Sequence, residues 1–272
     1  MNWRVIRAIM RKDLKQVLQN RMVWLPMVLV PALILVILPA VLVSIPAFVP
    51  TDDLDIDDLD ILLQQLPATL REPLEGLSPV QQYVVLSANY MFSPMFLIVP
   101  LMVASILAAD SVAGEKERRT LEGLLYTPTN DGELFLAKVL AAFLPALVIG
   151  VAAFGVSAIV VNAAGYRIMG RLFFPVVIWW PLVFWMGPAV SMVGLGATVL
   201  ISSKAKTFMQ AQQFSGILVL PIVFLMIAQV SGLFFLGVGL ILALGLLLWV
   251  IGLALVWIGA RTFARGEIIA RI

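Results

Sequence analysis

The chain contains no cysteine and no histidine among its 272 residues. Without cysteine there is no disulfide framework, no thiolate nucleophile and no sulfur-ligated metal, and the redox compartment leaves no trace. Without histidine the most frequent general base, the commonest metal ligand and the simplest pH switch are missing. Charge is scarce too: 12% of residues are Asp, Glu, Lys or Arg, half of the roughly 25% a soluble domain carries. No G-x-x-x-x-G-K-[ST] loop that would cradle ATP phosphates occurs, and neither H-E-x-x-H nor G-x-S-x-G appears. The chain is therefore expected not to be an enzyme and to hold no metal or cofactor of its own.

Apolar sequence fills the space instead. The chain is 62% hydrophobic with a mean hydropathy of +1.05. Six runs, at 22–49, 79–110, 133–161, 173–201, 208–230 and 233–260, each reach the ~20 residues a bilayer core requires. The fold class read from this is an all-α polytopic membrane protein with six transmembrane helices, one domain over 1–272. The first run is too long for a signal-peptide core and lacks an evident cleavage site, so it reads as a retained span. Its prolines, Pro26, Pro31, Pro39 and Pro46, predict a kinked helix. Ser78-Pro79 is a cap followed by proline at the first helical position, a good start for the second span. Trp179, Trp180 and Trp185 in the fourth read as packing aromatics rather than a ligand cage. No Asp, Glu, Lys or Arg lies near the middle of any run. Ion-coupled carriers keep such residues in the bundle, so a transporter built on this chain needs a partner to drive it.

The polar segments set the orientation. In residues 2–20, Trp3, Ile6, Met10, Leu14 and Val17 share one helical face while Arg4, Arg7, Arg11, Lys12 and Lys15 cluster on another. That spacing predicts a basic amphipathic helix at the membrane interface, with lipid as a partner. Residues 50–78 hold Asp52, Asp53, Asp55, Asp57, Asp58 and Asp60, then a Leu59, Leu62, Leu63, Leu66 stripe. They lack the glycine turn and terminal glutamate of an EF-hand loop, so a solvated acidic amphipathic helix is expected rather than a calcium site. With the N-terminus inside, fifteen Lys and Arg lie on the inner side against Arg71, Arg167 and Arg171 outside. The positive-inside rule then places both termini in the cytoplasm and residues 50–78 outside.

The most charged internal stretch, 110–140, falls between spans two and three on the cytoplasmic side. Read as a helix, it pairs Glu115 with Arg118 and Arg119, and both arginines with Glu122, at i+3 and i+4, each worth about 0.2–0.5 kcal/mol. Pro128 ends that helix. Asn130 offers an N-cap to the next, with Glu133 in capping-box position. The stretch resembles the intracellular segment of ABC transporter permeases of the type-2 export class, including a sodium- or drug-efflux subgroup. The family pattern is an Asp at the membrane edge, then G-E-[KR]-E-x-x-T-L-E-x-L-L-x-[TS]-P, then an acid and a Gly-Lys pair. Asp110, Gly114, Glu115, Lys116, Glu117, Thr120, Leu121, Glu122, Leu124, Leu125, Thr127, Pro128, Glu133 and Lys138 match it. Arg119 stands where Gly is common, and Ala137 replaces the Gly before Lys138.

That resemblance implies a short coupling helix at 111–128 that seats in a groove of a separate ABC ATPase. The implied contact residues are Gly114, Glu115, Lys116, Glu117, Arg118, Arg119, Thr120, Leu121, Glu122, Leu124, Leu125 and Pro128, with the N-terminal helix as a second contact. It further implies two ATPase subunits carrying ATP and Mg, a second permease copy, a cell-membrane location and no nucleic-acid partner. Uncharged walls suit an apolar or amphipathic cargo such as a lipid, drug or hydrophobic peptide. Sodium efflux is the alternative within the family, and it would rest on Ser, Asn, Gln and backbone oxygens. A membrane anchor that recruits some other cytoplasmic protein is the alternative outside it.

Overall fold

A computed structural model of the protein describes residues 3–48, 71, 74–120, 130–233 and 235–262. The described residues are helical and contain no strand. One amphipathic helix, α1 (Trp3–Gln19), precedes six helices long and apolar enough to cross a membrane. These are α2 (Arg21–Ala47), α3 (Pro79–Glu117), α4 (Asp131–Met169), α5 (Trp179–Lys204), α6 (Phe208–Val230) and α7 (Val238–Thr262). The acidic stripe expected at 52–66 lies outside the described residues.

Burial separates the six. In its most apolar stretch α3 is 83% buried, α5 56%, and α6 and α7 17% each. Helix α3 is therefore the axis of the bundle, with α4 and α5 against it and the others around the outside. Its sequence permits this, since Val99, Leu101, Val103, Ala104, Ile106 and Leu107 are buried all round the helix rather than on one stripe. Small residues let the backbones close up. A side chain at Gly196 of α5 would come within 2.7 Å of Leu255 in α7, and one at Gly252 of α7 would meet Met192 at 3.0 Å.

Prolines and wide turns break the spans at defined points. Helix α2 absorbs Pro31 and Pro39 through a π-helical stretch, Ala32–Ile37, between them. Helix α3 starts on the capping box of Ser78 and Gln81, and then widens at Ser87–Met91 just before Ser93-Pro94. Helix α4 starts at Asn130, whose side chain accepts from the Gly132 amide at 3.3 Å. It runs for 39 residues to Met169, where Gly170 at φ +64° ends it.

The link to α5 differs from the sequence reading. Helix α5 starts at Trp179 and not at residue 173, because two buried asparagines hold the intervening chain extended. Asn162 Oδ1 accepts from the Phe173 and Phe174 amides while its Nδ2 donates to the Phe174 carbonyl at 2.5 Å. Asn89 Oδ1 accepts from the Val176 amide at 3.1 Å and its Nδ2 donates to the Phe173 carbonyl at 3.2 Å. Backbone groups satisfied by side chains in this way need no helix. Trp179 packs at this corner against Phe96, Phe154 and Phe174, whereas Trp180 is exposed on the outer surface. Trp185 donates from Nε1 to the Leu242 carbonyl of α7. Trp179 and Trp185 thus pack between helices.

Candidate functional site

Six spans in sequence bring α1, the end of α3, the starts of α4 and α6, and the end of α5 to one end of the bundle. At that end α3 departs from regular helix. Residues Asp110–Gly114 form a π-turn, which inserts an extra residue and rotates the next turn of chain about the helix axis. The consequence is that Glu115 points into the protein. It is fully buried, at 0% exposure, and does not pair with Arg118 or Arg119. The self-supporting charged helix expected from i+3 and i+4 spacing is therefore not what forms at Glu115.

Glu115 instead joins three elements. Lys138 of α4, 5% exposed, donates to Glu115 Oε2 at 2.6 Å, to the Ser111 carbonyl at 2.7 Å and to Ser111 Oγ at 3.2 Å. All three of its ammonium protons are used. Lys12 of α1 donates to Glu115 Oε1 from the other side. Asp13, the next residue of α1, is buried beside them, with Oδ1 3.3 Å from Lys12 Nζ and Oδ2 4.0 Å from Lys138 Nζ. Neither of its oxygens accepts a hydrogen bond. Asp110 belongs to a second, adjoining bridge: it accepts from Arg118 NH1 at 3.0 Å and from Gln16 Nε2 of α1 at 3.2 Å. Three carboxylates thus face three cations, which is how buried charge is tolerated.

Burial and charge set the protonation of the α1 pair. Burial pushes the Asp13 carboxyl up, Glu115 pushes it further, and Lys138 and Lys12 only partly offset this, leaving it above its ordinary value. Burial lowers the Lys12 ammonium, but the hydrogen bond and charge of Glu115, with Asp13, outweigh that and leave it raised.

Two backbone positions shape the exit from this cluster. A side chain at Gly114 would lie 2.7 Å from Asp110 Oδ1 and 3.1 Å from Arg118 NH2, so glycine keeps the path of that bridge clear. Arg119 has φ +57°, in the left-handed region where only glycine sits without cost. That is the position at which the resembled family commonly has Gly. Beyond the turn, Glu117 Oε2 accepts from the Phe208 amide at 2.9 Å, placing a negative charge on the N-terminus of α6.

Of the residues named from sequence, Glu117, Arg118, Arg119 and Thr120 are exposed, Lys116 is half-buried, and Gly114 and Glu115 are buried. Leu121, Glu122, Leu124, Leu125 and Pro128 lie outside the described residues. In α1, Arg4, Arg7, Arg11 and Lys15 are exposed, while Lys12 turns toward Glu115. The buried face of α1 is Ile6, Ile9, Asp13 and Val17. Trp3, expected on the apolar face, is 61% exposed because that face is rotated toward Ile9 and Asp13. Sequence reasoning missed Asp13 as a site residue, and likewise Gln16 and Ser111. An acid at the centre of an otherwise apolar i, i+3, i+4 stripe was the available signal. Lys138 was seen as a motif position and as one of the inner-side cations, not as a partner of Glu115.

The fold and this cluster define a multi-pass membrane protein whose charged segment between the second and third spans is fastened inside the bundle. A family model for ABC-2 family transporter proteins matches residues 7–239, and the chain belongs to that family. It is a permease subunit of an ABC transporter, of a kind that generally works with an ABC ATPase and is itself generally non-catalytic. Comparison with curated proteins finds no match.

Proposed function

We propose that this chain is the membrane subunit of an ATP-driven exporter that moves an apolar or amphipathic cargo across the cell membrane. Two copies enclose the path, and two ATPase subunits carrying ATP and Mg seat on residues 114–128 at the cytoplasmic face. The observation that carries the reading is the Glu115 anchor. The tip, half-buried at Lys116 and exposed from Glu117 to Thr120, is tied to α1 through Lys12, to α4 through Lys138 and to α6 through Glu117. A push on that tip reaches four helices through direct charge-assisted bonds and a continuous α3, with no slack loop between. The presenting residues are Lys116, Arg118, Arg119 and Thr120 together with residues 121–128. Glu115 serves by holding them. The basic crest of α1, Arg4, Arg7, Arg11 and Lys15, faces the same side and suits acidic protein surface or lipid headgroups.

The test is charge reversal at the exposed tip, Lys116→Glu with Arg119→Glu, in the full chain expressed with an ATPase from its own cell. The double variant is expected to insert and unfold like the wild type while losing copurification with the ATPase. Undiminished copurification and ATP hydrolysis in the double variant would refute the contact. Capture of a partner with no ATPase activity would favour the anchor role instead.

A further inference from the structure

Two lysines and two carboxylates meet at the α1–α3–α4 junction, but the hydrogen bonds are divided unequally. Glu115 takes both lysines, while Asp13 takes none, although its oxygens lie 3.3 and 4.0 Å from the same two ammonium groups. A carboxylate that is buried, ionisable and unsatisfied is costly. Lys12, already ion-paired with Asp13 at 3.3 Å, need only turn an N–H toward it, and Lys138 at 4.0 Å need move only about 1 Å to bond it. Glu115 sits on the segment that carries the exposed tip, whereas Asp13 sits on α1. The two acceptors therefore sit on different helices.

We propose that Asp13 is a positioning residue for coupling: it is the second acceptor of a charge swap. When the tip is drawn outward on engagement with the ATPase, Glu115 leaves and Lys12 and Lys138 transfer to Asp13. Helices α1 and α4 then stay clamped together while α3 moves between them. The arrangement has the property a switch requires, two discrete pairings of the same groups. What Glu115 loses on leaving is offset by what Asp13 gains, so neither state is far below the other. The groups facing Asp13 are Lys12 on its own helix, Glu115 on α3 and Lys138 on α4. Burial, with the Glu115 charge, leaves its carboxyl raised in the resting state despite the two lysines, and the swap reverses that balance. This inference rests on the coupling function proposed above, and its test separates the two.

The first arm needs no partner. In the full chain in lipid nanodiscs, the Asp13 carboxyl is titrated by infrared difference between aspartate-labelled protein and its Asp13→Asn variant. Glu115→Asp keeps the like charge but draws its oxygens back by one methylene, so transfer of the lysines to Asp13 is expected to lower the Asp13 titration by about one pH unit or more. Adding Lys138→Met to Glu115→Asp takes one of those lysines away, and the fall is then expected to shrink. An Asp13 titration that is unchanged, or that moves the other way, overturns the swap.

The second arm uses the absence of cysteine from the natural chain. Spin labels at Ala8→Cys on α1 and Leu144→Cys on α4, both exposed positions, report the clamp. In the complex trapped with ATP and vanadate the label distance is expected to hold in the wild type and in Asp13→Glu, and to widen in Asp13→Asn. A distance in Asp13→Asn equal to the wild type overturns the proposal. If the chain recruits no ATPase at all, the coupling reading fails, and the titration arm still decides whether the lysines change partner.

Discussion

Replacing Lys138 by methionine isolates the energetic weight of the cluster. Methionine keeps the length of the side chain and removes the charge. The wild-type ammonium spends its three protons on Glu115, the Ser111 carbonyl and Ser111 Oγ. The substitution leaves Glu115 at 0% exposure with Lys12 as its remaining cation, and strips the Ser111 carbonyl of a donor. Breaking a buried pair by removing one partner costs about 3–5 kcal/mol. Lys12 survives as a counter-charge, though it is 41% exposed and partly screened. We therefore place the cost near the low end, about 3 kcal/mol, a thermal shift on the order of 10 °C.

The assay is intrinsic tryptophan fluorescence on heating in nanodiscs, which reads the fold without any partner. The companion variant, Lys138→Met with Glu115→Leu, removes both buried charges and should return to within about 1 kcal/mol of the wild type, as apolar replacements of buried pairs do. A loss below about 1 kcal/mol for the single variant would refute the account of Lys138 as a buried anchor. So would a companion no more stable than the single variant.

Gly114→Ala should destabilise by about 1–3 kcal/mol, because the new methyl meets Asp110 Oδ1 at 2.7 Å and displaces the Arg118 bridge. The same heating experiment checks it, and adding Asp110→Ala should remove most of the effect. Arg119→Gly should stabilise by about 1 kcal/mol by relieving the left-handed backbone, a rise of a few degrees in unfolding temperature. The α1 pair fixes two flanks of the pH profile. Lys12 is raised above 10.5, so its contribution is whole through neutral pH and is lost as pH climbs through that raised value. Asp13 is raised above 3.8, so stability is highest while it is protonated and falls as pH rises through its shifted value. Asp13→Asn should remove that decline, and unfolding temperatures measured across pH for both chains will show whether it does.

The six spans were legible because length and hydropathy suffice for them, and the caps at Ser78 and Asn130 were legible because their chemistry is local. The kink in α2 was expected from its prolines, although the π-turn that accommodates them has no sequence signature of its own. The start of α5 was misplaced by six residues because Phe173–Val176 are apolar enough for a span. What holds them out of helix is a pair of asparagines 11 and 87 residues away in the chain. The reading of Glu115 failed for a related reason. Spacing of three and four residues specifies neighbours only on a regular helix, and the π-turn at Asp110–Gly114 shifts that register by one. Asp13 was not weighed from sequence: its place in the apolar stripe of α1 signals burial, but nothing local shows that Lys138, 125 positions on, will come to lie beside it.

Apolar helices in lipid lack a solvent that drives them together, and packing alone leaves neighbours free to slide or rotate at little cost. The described structure answers this differently along its length. Within the bundle, glycines at 196 and 252 fix the approach of α5 and α7 by shape. At the basic end, shape gives way to charge, where Glu115, Lys138, Lys12 and Asp13 accept one register of α1, α3 and α4 and reject others by leaving a charge bare. Charge at this site is a poor adhesive, given that apolar replacements would hold as well. The exchange proposed above would keep both ammonium groups paired throughout, which shape complementarity does not offer. A junction meant only to be firm would be expected to fill with leucine. One that carries a stroke into a membrane, as we propose for this one, needs alternatives at nearly equal energy, and a second carboxylate 3.3 and 4.0 Å from the same two lysines offers them.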